Sequence, residues 1–360
     1  MQMADTQLRM EAPPDQATRN ARVLGVWLLA LIAMVFVMII LGGLTRLTGS
    51  GLSMVDWRPI TGWLPPLNEA EWGAVFDLYK QIPQYQEVNA DMTVEGFKSI
   101  FWLEYVHRLW GRLLGFAFLL PFLFFVFRRV ITARMAPWLI LMFVLGGAQG
   151  VLGWFMVKSG FSVRTDVSQY RLVAHLLAAM VIYAYMLWVA LSLMRGAGRW
   201  RADPGQAGLT WFTVAVAAWI VLTMTSGGFV AGLDAGLAYN TFPTMDGQLV
   251  PDGLFLKSPA WVNLFENITL VQFNHRLLAE AAIILVAIAW IWGRRRLPAG
   301  RARLVFNLFG LMGLAQFALG IATLLLVVPV PLASAHQGGA FVLVALAIWA
   351  VHALGSIEAS

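Results

Sequence analysis

Eight predominantly apolar stretches, each about 20 residues or longer, divide this chain. A helix of that length crosses roughly 30 Å of bilayer hydrocarbon. The stretches fall at 23–43, 103–127, 136–156, 171–194, 209–230, 269–292, 304–328 and 332–353. Pro329 and Pro331 separate the last two, which predicts a tight hairpin rather than one long helix. Charge is placed accordingly. Charged residues make up 12% of the 360 residues, against about 25% in a soluble domain. The net charge of +6 sits in clusters between the apolar stretches, where it orients helices in a membrane rather than binding nucleic acid. The expected fold is therefore all-α and polytopic.

Loop charges give the expected orientation. Arg128, Arg129 and Arg134 follow the second helix, Arg195, Arg199 and Arg201 the fourth, and Arg294, Arg295, Arg296, Arg301 and Arg303 the sixth. The loop between the fifth and sixth helices has Lys257 beside Asp234, Asp246, Asp252 and Glu266. The loop after the third is less clear, with Lys158, Arg164 and Arg171 against Asp166. The balance puts both termini in the cytoplasm. The first twenty residues are polar, carry acids as well as arginines, and are expected to be disordered. They match neither a transit peptide nor a cleavable signal, so the first apolar stretch reads as a retained helix in a bacterial inner membrane. Two outer loops, 44–102 and 231–268, are long enough to be functional or ordered as caps. Trp57, Trp63, Trp72 and Trp102 in and beside the first read as interfacial anchors.

The halves repeat. Gly42-Gly43 and Gly227-Gly228 each read as the end of a helix before a long outer loop. His107-Arg108 and His275-Arg276 lie 168 residues apart, Gln149 and Gln316 lie 167 apart, and His175 and His336 lie 161 apart. Each repeat has four helices, and an even number preserves orientation. The expectation is two pseudo-symmetric four-helix bundles, related by an axis along the membrane normal. The divisions are a tail (1–22), an N-terminal bundle (23–194), a linker (195–208) and a C-terminal bundle (209–354).

Four of the five histidines, His107, His175, His275 and His336, occupy matched positions near the outer ends of even-numbered helices. The fifth, His352, has no counterpart and is assigned no role. Ionisable groups inside a membrane point to function. Two histidines on facing helices can ligate one heme iron. Zinc or copper would lack ligands, because cysteine is absent and no carboxylate cluster completes the set. The missing cysteine also excludes thiolate nucleophiles, iron–sulfur clusters and c-type attachment. Arg108, Arg276 and Arg46 are candidates for heme propionates, or else snorkel to the interface. Gly111 with Gly115, and Gly146 with Gly150, have the spacing of close helix packing, and could also make room for a flat porphyrin. One difference separates the halves: Glu104 stands three residues before His107, whereas Gln272 stands three before His275. Positions i and i+3 share a helix face, so one site has a carboxyl group where the other has an amide. That pattern suggests one reactive site and one that handles electrons.

These residues carry a family resemblance. Residues 42–62 (GGLTRLTGSGLSMVDWRPITG), 104–112 (EYVHRLWGR) and 272–276 (QFNHR), with His175 and His336, resemble the heme A synthase family of cytochrome oxidase assembly, in its cysteine-free branch. The likeness spans about residues 20–355. It implies an oxidoreductase of heme biosynthesis that converts the C8 methyl of heme O to the formyl group of heme A. That change adds one oxygen and removes two hydrogens, four electrons in all. The resemblance further implies a heme b cofactor whose iron is held by His275 and His336, with His107 and His175 at the substrate heme iron. Glu104 is then the acid–base candidate. Heme O synthase and oxidase assembly factors are the implied partners, in surrounding membrane lipid, and a homo-oligomer is left open. A two-heme b-type electron carrier and a heme transporter are the alternative readings; neither would produce a formyl heme.

Overall fold

The computed structural model describes residues 14–58, 61–162, 164–196 and 198–359. Among them, eight helices are long and apolar enough to cross a membrane. They are α1 (Pro14–Leu47), α3 (Val94–Phe127), α4 (Ala136–Val157), α5 (Gln169–Met194), α6 (Ala207–Gly232), α8 (Ile268–Arg296), α9 (Arg301–Leu325) and α10 (Val330–Ala353). Two shorter helices, α2 (Glu69–Tyr79) and α7 (Asn263–Glu266), lie in the outer loops. The chain is an all-α, multi-pass membrane protein. Helix α1 starts at Pro14, so part of the polar tail expected to be disordered is helical; residues 1–13 lie outside the described residues.

Several helices overrun their apolar stretches. Helices α1 and α3 are 34 residues each, well beyond the roughly 20 that a membrane needs. Polar residues at helix ends remain helical because side chains satisfy the free backbone groups there. Thr93 caps α3 by accepting from Gly96 N at 3.3 Å, and Asn267 caps α8 by accepting from Thr269 N at 2.9 Å. The glycine pairs do not end their helices as expected. Helix α1 continues past Gly43 to Leu47, and α6 past Gly228 to Gly232. Arg46 accordingly lies inside α1. The predicted hairpin is present between α9 and α10. Val327 and Val328 there have φ of 61° and 57°, a left-handed conformation uncommon for β-branched residues.

The first outer loop folds as a cap. Asn68 and Glu71 form a reciprocal capping box that starts α2: Glu71 N donates to Asn68 Oδ1 at 3.0 Å, and Asn68 Nδ2 to Glu71 Oε1 at 2.8 Å. The buried face of α2 carries Trp72, Phe76 and Tyr79 onto Phe97, Phe101 and Tyr105 of α3. Trp72, expected as an interfacial anchor, is only 7% exposed and belongs to this small core. Trp57 and Trp102 remain more than two-fifths exposed. Tyr79 donates to Gln84 Oε1 and accepts from Asn89 Nδ2. Burial pushes its phenol pKa up, so the ring stays a neutral hydrogen-bonding strut.

On the opposite side of the membrane, the linker pairs with the chain end. Strand β1 (Gly198–Ala202) runs antiparallel to β2 (Gly355–Ala359), with Trp200 opposite Ile357. His352, 1% exposed, sits beneath this pair. Its Nε2 shares a 3.1 Å hydrogen bond with Ser192 Oγ, and Arg195 and Trp200 donate to its carbonyl at 2.7 and 3.0 Å. Its place is structural.

Helices α1, α5, α6 and α10 meet at the centre. Gln337 Nε2 of α10 donates to Ile39 O of α1 at 3.1 Å, beside Gly43, where a Cβ would overlap the Gln337 amide. At the matched place a Cβ on Gly228 of α6 would stand 2.9 Å from Val173 of α5. At the ends of α1 and α6, Arg46 bridges to Asp234 at 3.0 Å and donates to Ala231 O. Inside each repeat one contact recurs with donor and acceptor helices exchanged: Trp110 Nε1 donates to Met34 O, and Trp219 Nε1 to Leu278 O.

Candidate functional site: two histidine pairs

Each of the four matched histidines rests against a glycine of the preceding membrane helix. A Cβ built on Gly42 would lie 3.1 Å from Cε1 of His107, and one on Gly153 would lie 3.0 Å from Cε1 of His175. In the other half the distances are 2.9 Å from Gly227 to His275 and 2.9 Å from Gly320 to His336. Contacts this short mean that a methyl group at any of the four would displace the ring or the helix, by the most at Gly227 and Gly320. His107 lies in the neighbourhood of His175, and His275 in that of His336. The topology thus brings together the two pairs that the repeat suggested.

Nδ1 of His275 and of His336 has a hydrogen-bond partner, and Nδ1 of His107 and of His175 has none among the described residues. His275 Nδ1 donates to Thr223 O at 3.2 Å. A carbonyl only accepts, so Nδ1 holds the proton and Nε2 carries the free lone pair, the tautomer a metal ligand needs. His336 Nδ1 accepts from Gln316 Nε2 at 3.1 Å, so here the neutral ring carries its proton on Nε2, the reverse of His275. In His107 and His175, Nδ1 is turned into the protein. Among the described residues no hydrogen bond reaches any of the four Nε2 atoms, and every ring keeps part of its surface uncovered. The backbone at each pair is clamped alike: Gln149 Nε2 donates to His175 O, and Gln316 Nε2 to His336 O, both at 2.8 Å. The sequence showed these glutamines only as repeat markers; their role needed the neighbouring helix. Among the described residues no group of three or more His, Cys, Asp or Glu could hold a bare metal ion. Two imidazoles whose Nε2 atoms have no protein partner among the described residues suit an iron whose other four ligands come from a porphyrin.

Glu104 is 2% exposed, and so is Gln272. The Glu104 carboxylate accepts from Ser53 Oγ at 2.7 Å, from Met54 N at 2.8 Å, and from Arg108. Arg108 also donates to Met54 O at 2.8 Å and lies over the Trp57 ring. The Gln272 amide donates to Ala235 O at 2.8 Å and accepts from Arg276, which reaches Thr241 O at 2.7 Å and Tyr239 O at 2.8 Å. In both halves a residue one turn before the arginine joins it in holding the outer loop down over the histidine pair. Neither arginine snorkels. Arg276 Nε is buried without a hydrogen-bond partner among the described residues, which leaves a donor for an anionic group. Ser53 and Met54 were not foreseen as partners of Glu104, since 50 residues separate them along the chain. The two readings of the spaced glycine pairs, close packing or open room, divide between them. A Cβ on Gly111 would be 3.3 Å from Met38 Cε, but Gly115, Gly146 and Gly150 have nothing within 4 Å.

The fold and site define a class: a polytopic helical membrane protein with two pairs of histidines, each ring seated against a glycine of the preceding membrane helix. Residues 25–348 match the cytochrome oxidase assembly protein family, and the chain belongs to that family. It is 48% identical over 340 residues to the heme A synthase of Nitrosospira multiformis, covering 94% of this chain and 96% of that one. It is 49% identical over 343 residues to the heme A synthase of Paramagnetospirillum magneticum, covering 95% and 96%. The heme A synthase of Parvibaculum lavamentivorans is 47% identical over 343 residues, covering 94% and 96%.

Proposed function

We propose that this chain is a heme A synthase: a membrane oxidoreductase that takes heme O as substrate and oxidises its C8 methyl to the formyl group of heme A, for cytochrome oxidase assembly. The observation that carries this reading is the pair of glycine-seated histidine pairs, joined to family membership over most of the chain. The C-terminal bundle (209–354) is the cofactor half. His275 and His336 would hold the iron of a b-type heme: Nδ1 of His275 is already committed to Thr223 O, and no hydrogen bond among the described residues reaches Nε2 of either ring. When bound, that heme supplies one-electron redox chemistry. The unpaired Nε of Arg276 suits a propionate.

The N-terminal bundle (23–194) is the substrate half. His107 and His175 hold the substrate iron, which fixes the porphyrin under the cap. Glu104 is the acid–base group. Its carboxylate is held by Ser53, Met54 and Arg108; a proton can be accepted when Arg108 turns from it toward a substrate propionate. Gln272, with the same clamp geometry, cannot take up a proton, which fits a half that only carries electrons. The protein resides in a bacterial inner membrane with both termini in the cytoplasm and the histidine sites near the outer face. Heme O synthase is the partner that supplies substrate, and oxidase assembly factors receive the product. The test is extraction of hemes from cells with and without this chain. Formyl heme that appears only with the chain is the expected result. Unaltered hemes would return the electron carrier or the transporter.

A further inference from the structure

On the side of the membrane away from the histidine pairs, α5 and α10 end and α9 begins around a cavity of about 240 Å³. Its polar lining is Arg195, Arg301 and His352, and its apolar wall is Leu191, Trp349 and Ala353. Arginines on this side orient helices wherever they stand. Arg195 is built into the fold as well. Its Nη1 donates to His352 O at 2.7 Å and its Nη2 to Gly355 O at 2.6 Å. Gly355 opens β2, so the strand pair at the chain end also holds this guanidinium in place. Arg301 stands over the Trp349 ring, 5.6 Å from its centroid, and has no hydrogen bond among the described residues. Among those residues no carboxylate lines the cavity and neither arginine has an ion-pair partner. Two guanidinium groups that share one cavity repel each other. Water, at roughly 30 Å³ per molecule, would fill the space without neutralising them.

We propose that this cavity binds a phosphate group, carried by the headgroup of an anionic phospholipid. The phosphate bridges Arg195 and Arg301 and neutralises both. The planar fork of a guanidinium matches phosphate oxygens two at a time, and Arg301 has its whole fork to give. Basic pockets between membrane helices on the cytoplasmic side are suited to such headgroups, and the loop charges put this face in the cytoplasm. The apolar wall favours a lipid over a free anion. Leu191 belongs to α5, and Trp349 and Ala353 to α10; both helices run on into the membrane, so the acyl chains of a lipid held here stay beside them. The bound headgroup ties the start of α9 to the ends of α5 and α10, and through Arg195 to the β1–β2 pair. A soluble phosphate shares the headgroup's charge and oxygens but gains nothing from that wall.

The test uses the full-length protein in a neutral detergent. Its melting temperature is followed against dioleoyl phosphatidylglycerol, dioleoyl phosphatidylcholine or inorganic phosphate at constant ionic strength. A ligand that binds only the folded state raises that temperature. Phosphatidylglycerol should stabilise the wild type at concentrations where phosphatidylcholine does not. Arg301→Gln should need at least about tenfold more lipid for the same effect, the size expected for a lost charge-assisted contact. Arg303→Gln removes the same charge two residues further on, outside the cavity lining, and should respond as the wild type does. Ala302→Glu is the second variant should Arg301→Gln insert poorly. Ala302 also lines the cavity, in the first turn of α9, where a carboxylate is favourable to the helix. The new carboxylate should take the place of the phosphate and abolish the response to lipid. Inorganic phosphate as effective as phosphatidylglycerol would overturn the lipid and leave a soluble phosphate as the ligand. Equal responses from wild type, Arg301→Gln and Ala302→Glu overturn the site. So does an equal loss in Arg301→Gln and Arg303→Gln, which would mean a diffuse basic surface.

Discussion

Gly227 and His275 stand so close that a Cβ on the glycine would lie 2.9 Å from the imidazole Cε1. The same relationship recurs at Gly42 with His107, Gly153 with His175 and Gly320 with His336. It ties the ring position of each proposed ligand to the backbone of the preceding helix. Gly227→Ala should push the His275 ring out of place at a cost of about 1–3 kcal/mol, the usual range for an added methylene in a packed site. The expected result is normal insertion with a shifted or high-spin heme b spectrum. An unaltered low-spin spectrum would mean that α6 does not set the ligand geometry.

His275→Ala or His336→Ala should abolish the low-spin b-type spectrum, because each removes one of two axial ligands. His352→Ala should leave that spectrum intact and lower thermal stability by about 1–3 kcal/mol, since Ser192 and Arg195 lose a buried hydrogen-bonding partner. Absorbance and melting temperature of the three purified variants check both halves of the statement. A lost heme in the His352 variant would contradict the structural role given to it.

Glu104→Gln reproduces the amide found at Gln272 and removes proton exchange. Heme b should be retained, while heme A falls by roughly 10²–10⁴-fold, the usual contribution of a general acid–base group. Heme O or a hydroxylated intermediate should accumulate in its place. Ser53→Ala weakens the same carboxylate clamp but keeps the carboxyl group, so its effect should be far smaller. Equal losses in the two variants would make Glu104 a positioning residue for the cap.

Topology is open to direct measurement. A reporter fused in α2 near Asp77 and active only in the cytoplasm should be silent, and one fused after Arg296 should be active. The reverse pattern would put all four histidines near the cytoplasmic face.

Much of the fold was legible because bilayer hydrocarbon imposes a simple rule on sequence. Length and apolarity located eight helices, and the ends differed mainly where polar residues continue a helix past the lipid. The pairing of histidines was legible for a related reason: His107, His175, His275 and His336 repeat at fixed offsets, and a duplicated bundle must place matched residues in matched surroundings. Gly42-Gly43 and Gly227-Gly228 misled as helix ends. Their signal is the absence of a side chain, which reads alike for a terminus and for a close approach by another helix.

Sequence alone determined that this chain spans a membrane eight times, and its matched offsets gave the expectation of a duplication with four imidazoles and one unmatched carboxyl group at corresponding places. These follow from composition, period and order, which are properties of the chain itself. Tertiary structure decided the rest. It set which glycine backs which ring, fixed the proton of His275 on Nδ1, joined Glu104 to Ser53 and Met54 across about 50 residues of chain, and packed α2 onto α3 around Trp72. Each of these depends on contacts between segments distant in sequence, and no local pattern of apolarity or charge encodes which surfaces will meet.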